Sequence, residues 1–248
     1  RDQIFSGAYG LASRRFGVPN SSETRFAMGS GSRIFTAAAA AILADAGKFT
    51  FNTPAARCLP EGVPPWAEGL TIAGLLAEGE DLERRYELVG AIVQAHSGES
   101  FVRFVEGHIF EPAAMESTGY YALNRLPSGT ATGYICTDEG WVENIFAVPP
   151  HGGPTGGAYT TAEDLHRFWQ ALLGGKLVSE AVLPELLRPF GCQAASRLTA
   201  YTVWGSAPGV SMVTTVIPAL EQEVTILSNG EVGTDGVYHT VMDFLNKR

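Results

Sequence analysis

Along residues 35–46, Phe35, Ala38, Ala39, Ile42, Leu43 and Ala46 recur at steps of three and four, and Gly47 closes the run. That is the period of a helix with one apolar face, and Ser30-Gly-Ser32 just ahead of it supplies a polar, serine-rich N-terminus. Residues 70–76 fit a short helix, and residues 86–95 and 100–110 fit two more, parted by the breaker Ser97-Gly98. Thr161 stands three residues ahead of Asp164, the spacing of a capped start for a helix over 165–173. Toward the ends the pattern changes. Residues 5–12 are aromatic and small, with Gly17-Val-Pro-Asn20 as a turn after them, and predict one or two edge strands. Residues 201–204, 210–217 and 223–228 read as three strands and 237–245 as a closing helix. Residues 129–148 suggest short strands or extended loops, while 58–66 and 151–157 carry too much Gly and Pro for a regular element.

Strands at both ends around a helical middle predict that the two ends share one sheet. The expected organisation is one α/β (α+β) domain over 1–248, with residues 1–24 and 196–248 as a sheet subdomain and residues 25–195 as a mainly helical insertion.

Composition narrows the class. With 248 residues, 45% of them hydrophobic and 17% charged, the chain can bury a sizeable core. The apolar run over 34–46 is far shorter than the roughly 20 residues a bilayer-spanning helix needs, so no transmembrane segment is expected. The chain opens on Arg1 without a recognisable targeting pattern, so any such peptide is expected to have been removed or never to have existed. A net charge of −9 opposes a phosphate backbone, and the local basic pairs are only Arg14-Arg15, Arg84-Arg85 and Lys247-Arg248, so nucleic acid is not an expected partner. Cys58, Cys136 and Cys192 lie outside any C-x-x-C spacing, and His96, His108, His151, His166 and His239 are scattered. No metal centre or other cofactor is expected.

The segment Phe26-Ala-Met-Gly-Ser30-Gly-Ser-Arg33-Ile-Phe-Thr-Ala37, continuing through Ile42-Leu-Ala-Asp-Ala-Gly-Lys-Phe-Thr50, resembles the catalytic helix of the penicillin-binding protein and serine β-lactamase superfamily, in particular its β-lactamase-related esterase and D-peptidase branch. Further blocks follow in the family order. Tyr86-Glu-Leu-Val-Gly-Ala-Ile-Val93, Ile109-Phe-Glu-Pro112 and Met115-Glu-Ser-Thr-Gly119 resemble the segments after the second family motif. Gly156-Gly-Ala-Tyr-Thr-Thr-Ala-Glu-Asp-Leu165 resembles the glycine-rich turn and helix start, and Trp204-Gly-Ser-Ala-Pro-Gly209 with Leu227-Ser-Asn-Gly230 stands where the third motif and the next strand belong. The resemblance implies a β-lactamase/transpeptidase-like fold: an antiparallel sheet flanked by terminal helices, packed on a helical subdomain with the site in the cleft between.

It also implies a role for particular residues. Ser30 takes the nucleophile position of Ser-x-x-Lys, and Arg33 stands where the lysine belongs. A guanidinium has no acceptor and a pKa above 12, so Arg33 cannot take the serine proton; it is expected to bind substrate, as a carboxylate anchor or carbonyl polariser. The Tyr-x-Asn or Ser-x-Asn motif is missing where Asp81-Leu-Glu83 stands, and only a handful of residues join Leu76 to Tyr86. Either the segment is deleted or residues have been left out of the sequence. Trp204, Gly205 and Ser206 are the expected counterpart of the third motif, with Trp204 offering an apolar wall, Gly205 close backbone approach, and a residue near Ser206 an oxyanion N–H beside that of Ser30. A small-molecule or peptide carbonyl compound is the expected ligand, an ester, amide or β-lactam hydrolysed through acyl-Ser30. The alternative is a non-catalytic relative that binds a peptide, acyl or cell-wall fragment in the same cleft. Blander readings stand beside these: Ser30 or Ser32 capping the helix, Tyr86 in the core, Glu163 and Asp164 in a first helical turn, and His151 in its loop rather than as a substitute base.

Overall fold

The computed structural model describes residues 5–193 and 198–245. In chain order it contains β1 (Leu11–Ser13), β2 (Val18–Pro19), β3 (Phe26–Ala27), α1 (Arg33–Asp45), α2 (Ile72–Leu76), α3 (Leu82–Ser97) and α4 (Phe101–Val105). There follow β4 (Tyr134–Thr137), β5 (Gly140–Glu143), β6 (Tyr159–Thr160), α5 (Ala162–Leu173), α6 (Leu183–Leu187), β7 (Gly191–Gln193), β8 (Thr199–Ala207), β9 (Val210–Ile217), β10 (Gln222–Ser228) and α7 (Thr234–Leu245).

The alanine-rich α1 runs through the main core. Small side chains let α3, α4 and α6 approach it closely, and Phe35 fixes its face edge-on to Phe110 and Phe168, with ring centroids 4.9 and 5.2 Å away. The capped start of α5 forms as its spacing predicts, Asp164 N–H donating to Thr161 Oγ1 at 3.1 Å. The Asp164 carboxylate is 2% exposed and accepts from Ser117 N and Thr118 Oγ1, both at 2.8 Å. It ties α5 to the segment after α4, a structural task.

The four-stranded sheet has the order β10-β9-β8-β7, antiparallel throughout. Every residue of β9 is buried, because alternate side chains serve two cores. Met212 and Val216 join the main core around α1. Val213 and Ile217 join a smaller one with Tyr238 and Met242 of α7. Hydrogen bonds follow the same alternation: Trp169 Nε1 of α5 donates to Thr214 Oγ1 at 2.9 Å on one face, and Thr215 Oγ1 to Tyr238 Oη at 3.0 Å on the other.

Two expectations are corrected. The chain ends do not share a sheet among the described residues: β1 pairs with β2 alone, and the large sheet is built from strands after residue 190. The N-terminal hairpin instead lies against residues 132–134 and 229, through Thr132 N–H to Ala12 O at 2.9 Å, Arg14 N–H to Tyr134 Oη at 2.7 Å and Asn229 Nδ2 to Leu11 O at 3.0 Å. Residues 100–110 are not one helix, since α4 gives way to a π turn over Glu106–Phe110. The 195/196 boundary and the Lys247-Arg248 pair lie outside the described residues. No helix among those described is long and apolar enough to cross a membrane.

Candidate active site

Ser30 lies in a 3-10 turn, Gly29–Ser32, that leads directly into α1. The neighbouring Ser32 is fully buried and its hydroxyl is engaged twice, donating to Gly29 O at 3.0 Å and accepting from Ala158 N at 3.3 Å. Ser32 is thereby a brace, and Ser30 is the half-buried hydroxyl left at the helix entrance.

The geometry of the β8–β9 hairpin explains what meets it. Pro208-Gly209 joins the strands, Gly209 having φ +70, and Ala207 opposes Val210. In a two-residue hairpin that flanking pair exchanges hydrogen bonds, so at the next pair, Ser206 opposite Ser211, the N–H and C=O of Ser206 point away from β9. β7 covers β8 only from Thr199 to Tyr201, leaving this edge open for the 3-10 turn. Ser206 N–H donates to Ser30 Oγ at 3.4 Å, and the carbonyl of the same residue lies 2.5 Å from where a Cβ on Gly29 would stand.

Three glycines permit that approach. A Cβ on Gly205 would overlap Met28 O and the Gly31 backbone, and one on Gly31 would fall 2.5 Å from Met212 Sδ. Gly29 also has φ +52, a conformation side chains disfavour.

The same alternation moves Trp204 away. Its side chain is on the face of α7, edge-on to Tyr238 with centroids 5.0 Å apart, and 44% exposed. The expected apolar wall beside Ser30 is therefore corrected: odd-numbered Val203 and Gly205 face the main body, while Trp204 and Ser206 send their side chains the other way. Val203, which shares a face of β8 with Gly205, is buried and uncharged.

Arg33 opens α1, and Nε donates to Thr155 O at 3.0 Å while the guanidinium lies over the Tyr86 ring, 5.4 Å from its centroid. The hollow beside it, about 430 Å³, is lined by Arg33, Gly79, Asp81, Leu82, Glu83 and Arg84. Tyr86 is buried, its hydroxyl bonded to Leu76 O at 3.4 Å. Burial pushes its phenol well above the ordinary tyrosine range, partly opposed by the Arg33 cation and reinforced by Glu78. It stays a neutral core residue. Residues 77–81 pass directly from α2 to α3, with Asp81 at φ 55.

A strap of residues 152–157 closes over the same helix face. Thr36 Oγ1 donates to Pro154 O at 2.7 Å and Gly157 N–H to Gly29 O at 3.1 Å. His151 at its start is exposed. Among the described residues the one hydrogen bond on Ser30 Oγ is that from Ser206 N–H, with no carboxylate, imidazole or amine on it, and no cluster of His, Cys, Asp and Glu is suited to a metal. Sequence reasoning did not identify Val203, Pro154 or Thr155 as neighbours of the site. The glycine density of 151–157 was a signal for the strap, but its partner is set by long-range contact.

The sequence model of the family described as Beta-lactamase matches residues 1–77 and 85–246, leaving 78–84 unmatched at the α2–α3 link. The putative penicillin-binding protein PbpX of Bacillus subtilis (strain 168) is 25% identical over 265 residues, covering 91% of this chain and 67% of that protein. Protein Rv1367c of Mycobacterium tuberculosis (strain ATCC 25618 / H37Rv) is 26% identical over 156 residues, and the match spans 56% of this chain and only 39% of that protein. The crystal structure of a penicillin binding protein from Bacillus halodurans superposes with a TM-score of 0.86 at 28% identity, covering 96% of this chain and 91% of that one.

Proposed function

The chain belongs to the beta-lactamase family, and from that premise we propose that it is a serine hydrolase acting on a reactive ester, amide or β-lactam through an acyl-Ser30 intermediate. The observation that carries the reading is the backbone N–H of Ser206, 3.4 Å from Ser30 Oγ at the entrance to α1. A carbonyl carbon bonded to Oγ brings its oxygen within reach of Ser206 N–H and of the N–H of Ser30 itself, two fixed donors for the negative charge that develops there. The helix N-terminus adds a favourable field. Collapse of the tetrahedral adduct expels the leaving group, and water then releases the acid.

Among the described residues no protein acceptor stands beside the Ser30 hydroxyl, so its proton leaves to solvent. General-base help contributes about 10²–10⁴-fold in rate, and its lack restricts the reaction to carbonyls with good leaving groups. The unengaged end of the Arg33 guanidinium, beside the hollow at α3, suits a substrate carboxylate, and Gly205 keeps the strand close to the turn that carries Ser30. Because the similar Bacillus halodurans protein is described as penicillin binding, a β-lactam is the first probe. Incubation with a reactive β-lactam and with an activated ester, followed by intact mass, is expected to give one covalent adduct that Ser30→Ala lacks. An adduct that persists in Ser30→Ala, or none with either reagent, rejects the reading.

A second reading, a cleft that binds a peptide or acyl ligand without turnover, is favoured by the engagement of Arg33 and Tyr86 in structural contacts and by the unmatched residues 78–84. Reversible binding of such a ligand, equal in Ser30→Ala, distinguishes it.

A further inference from the structure

The strap of residues 152–157 runs antiparallel to the start of α1 and is tied to it at three levels. Gly157 N–H reaches Gly29 O at 3.1 Å, Arg33 Nε reaches Thr155 O at 3.0 Å, and Thr36 Oγ1 reaches Pro154 O at 2.7 Å. Its own ends are closed by Gly153 N–H to Gly156 O at 2.8 Å and Gly156 N–H to Gly153 O at 3.2 Å. The fit leaves no slack: a Cβ on Gly156 would stand 2.8 Å from Gly29 O and 3.5 Å from Ser30 Cα, and Pro154 occupies the space a Cβ on Gly90 of α3 would need.

From this we infer that Arg33 is a positioning residue, whose guanidinium clamps the strap against the first turn of α1 and so fixes the backbone around Ser30. Arginine suits the task. Nε donates to the strap while the guanidinium carbon stands 5.4 Å from the centre of the Tyr86 ring, so a single side chain joins α1, the strap and α3. A lysine ends in one rotatable ammonium and cannot present Nε and a flat face together. Arg33 thus supplies a structural clamp and no proton acceptor, so Ser30 is held in place while its proton goes to solvent. The catalytic half of this inference rests on the acyl-Ser30 reading; the clamp itself does not.

The test combines hydrogen–deuterium exchange with acetylation of Ser30 by p-nitrophenyl acetate, read by intact mass, in the wild type, Arg33→Met, Arg33→Lys and Thr36→Val. In Arg33→Met, peptides covering 152–158 are expected to exchange at least about tenfold faster while those of β9 are unchanged, and the acetylation rate at saturating ester to fall by a similar factor. Arg33→Lys keeps the charge but neither the Nε–H nor the planar group, so its strap is expected to exchange faster than wild type, as in Arg33→Met; a strap as protected as wild type in Arg33→Lys overturns the assignment of the clamp to the guanidinium. Thr36→Val, the milder loss of a neighbouring tie, gives a smaller acceleration in the same peptides. Unchanged strap exchange in Arg33→Met and Thr36→Val overturns the clamp; faster exchange with unaltered acetylation overturns its role in positioning Ser30. A wild type never acetylated at Ser30 overturns the acyl-enzyme reading and the positioning role with it, and leaves exchange to decide the clamp.

Discussion

At Gly205 one missing methyl group decides whether the strand and the turn that carries Ser30 can meet. A Cβ there would overlap Met28 O and press within 2.6 Å of Gly31 N, backbone atoms that cannot swing aside as a side-chain tip does. Gly205→Ala is expected to separate β8 from the 3-10 turn, at about 1–3 kcal/mol of stability, and to abolish the Ser30 adduct. Thermal unfolding and intact mass check the two effects separately; a Gly205→Ala protein that reacts like the wild type refutes the requirement for close approach. Ser32 makes a related point. Next to the candidate nucleophile and chemically identical to it, it is excluded from the reaction by two hydrogen bonds and complete burial.

Elements convert such residues into positions. In β8 the two-residue period sends Gly205 toward Ser30 and Trp204 toward α7, although the two are adjacent in sequence. Trp204→Ala is accordingly expected to lower the melting temperature through the lost contact with Tyr238 and to leave the rate of Ser30 acylation within about threefold of wild type, since the site gains only a backbone N–H from this stretch. A loss of tenfold or more in acylation, with the fold intact, contradicts this assignment. Much of this scale was legible in the sequence. The helix over 35–46 was expected where α1 is found, the Thr161 cap and the strand over 210–217 are as expected, and Gly47 follows α1 closely. Strong periodicity and local caps are self-contained signals. The break between α4 and the π turn was not legible, because the apolar pattern of residues 100–110 passes through it unchanged.

For the whole molecule, long-range ties hold the entrance and the far end of α1. At its C-terminal end Asp45 accepts from Ser179 N at 2.9 Å and Ser179 Oγ at 2.6 Å, joining the central helix to the approach to α6. Those bonds hold the Asp45 carboxyl below its ordinary value of 3.8. A depressed folded-state pKa contributes stability above the unfolded value that is lost as pH falls through it toward the folded one. The difference in melting temperature between wild type and Asp45→Asn is therefore expected at pH 6 and to shrink as the pH falls below about 3.8; a difference that is constant with pH rules out the linkage. At the other end, the family match is interrupted over 78–84, where α2 passes to α3 by a short link and Arg33 lines a hollow together with residues of that link.

The order of motifs along the chain determined the family, the helix that presents Ser30 and the lack of a lysine three residues on, because residue identity and helical period are local properties. The sequence also marked Gly205 and Ser206 as neighbours of the site. Tertiary structure alone decided which face each strand residue takes, that the N-terminal hairpin pairs with itself, and that Arg33 ties a glycine strap to the helix. Each depends on contacts between residues far apart in the chain, such as Ser30 with Ser206 and Arg33 with Thr155. No local pattern encodes the partner of such a contact, and packing of the two cores around β9 selects it.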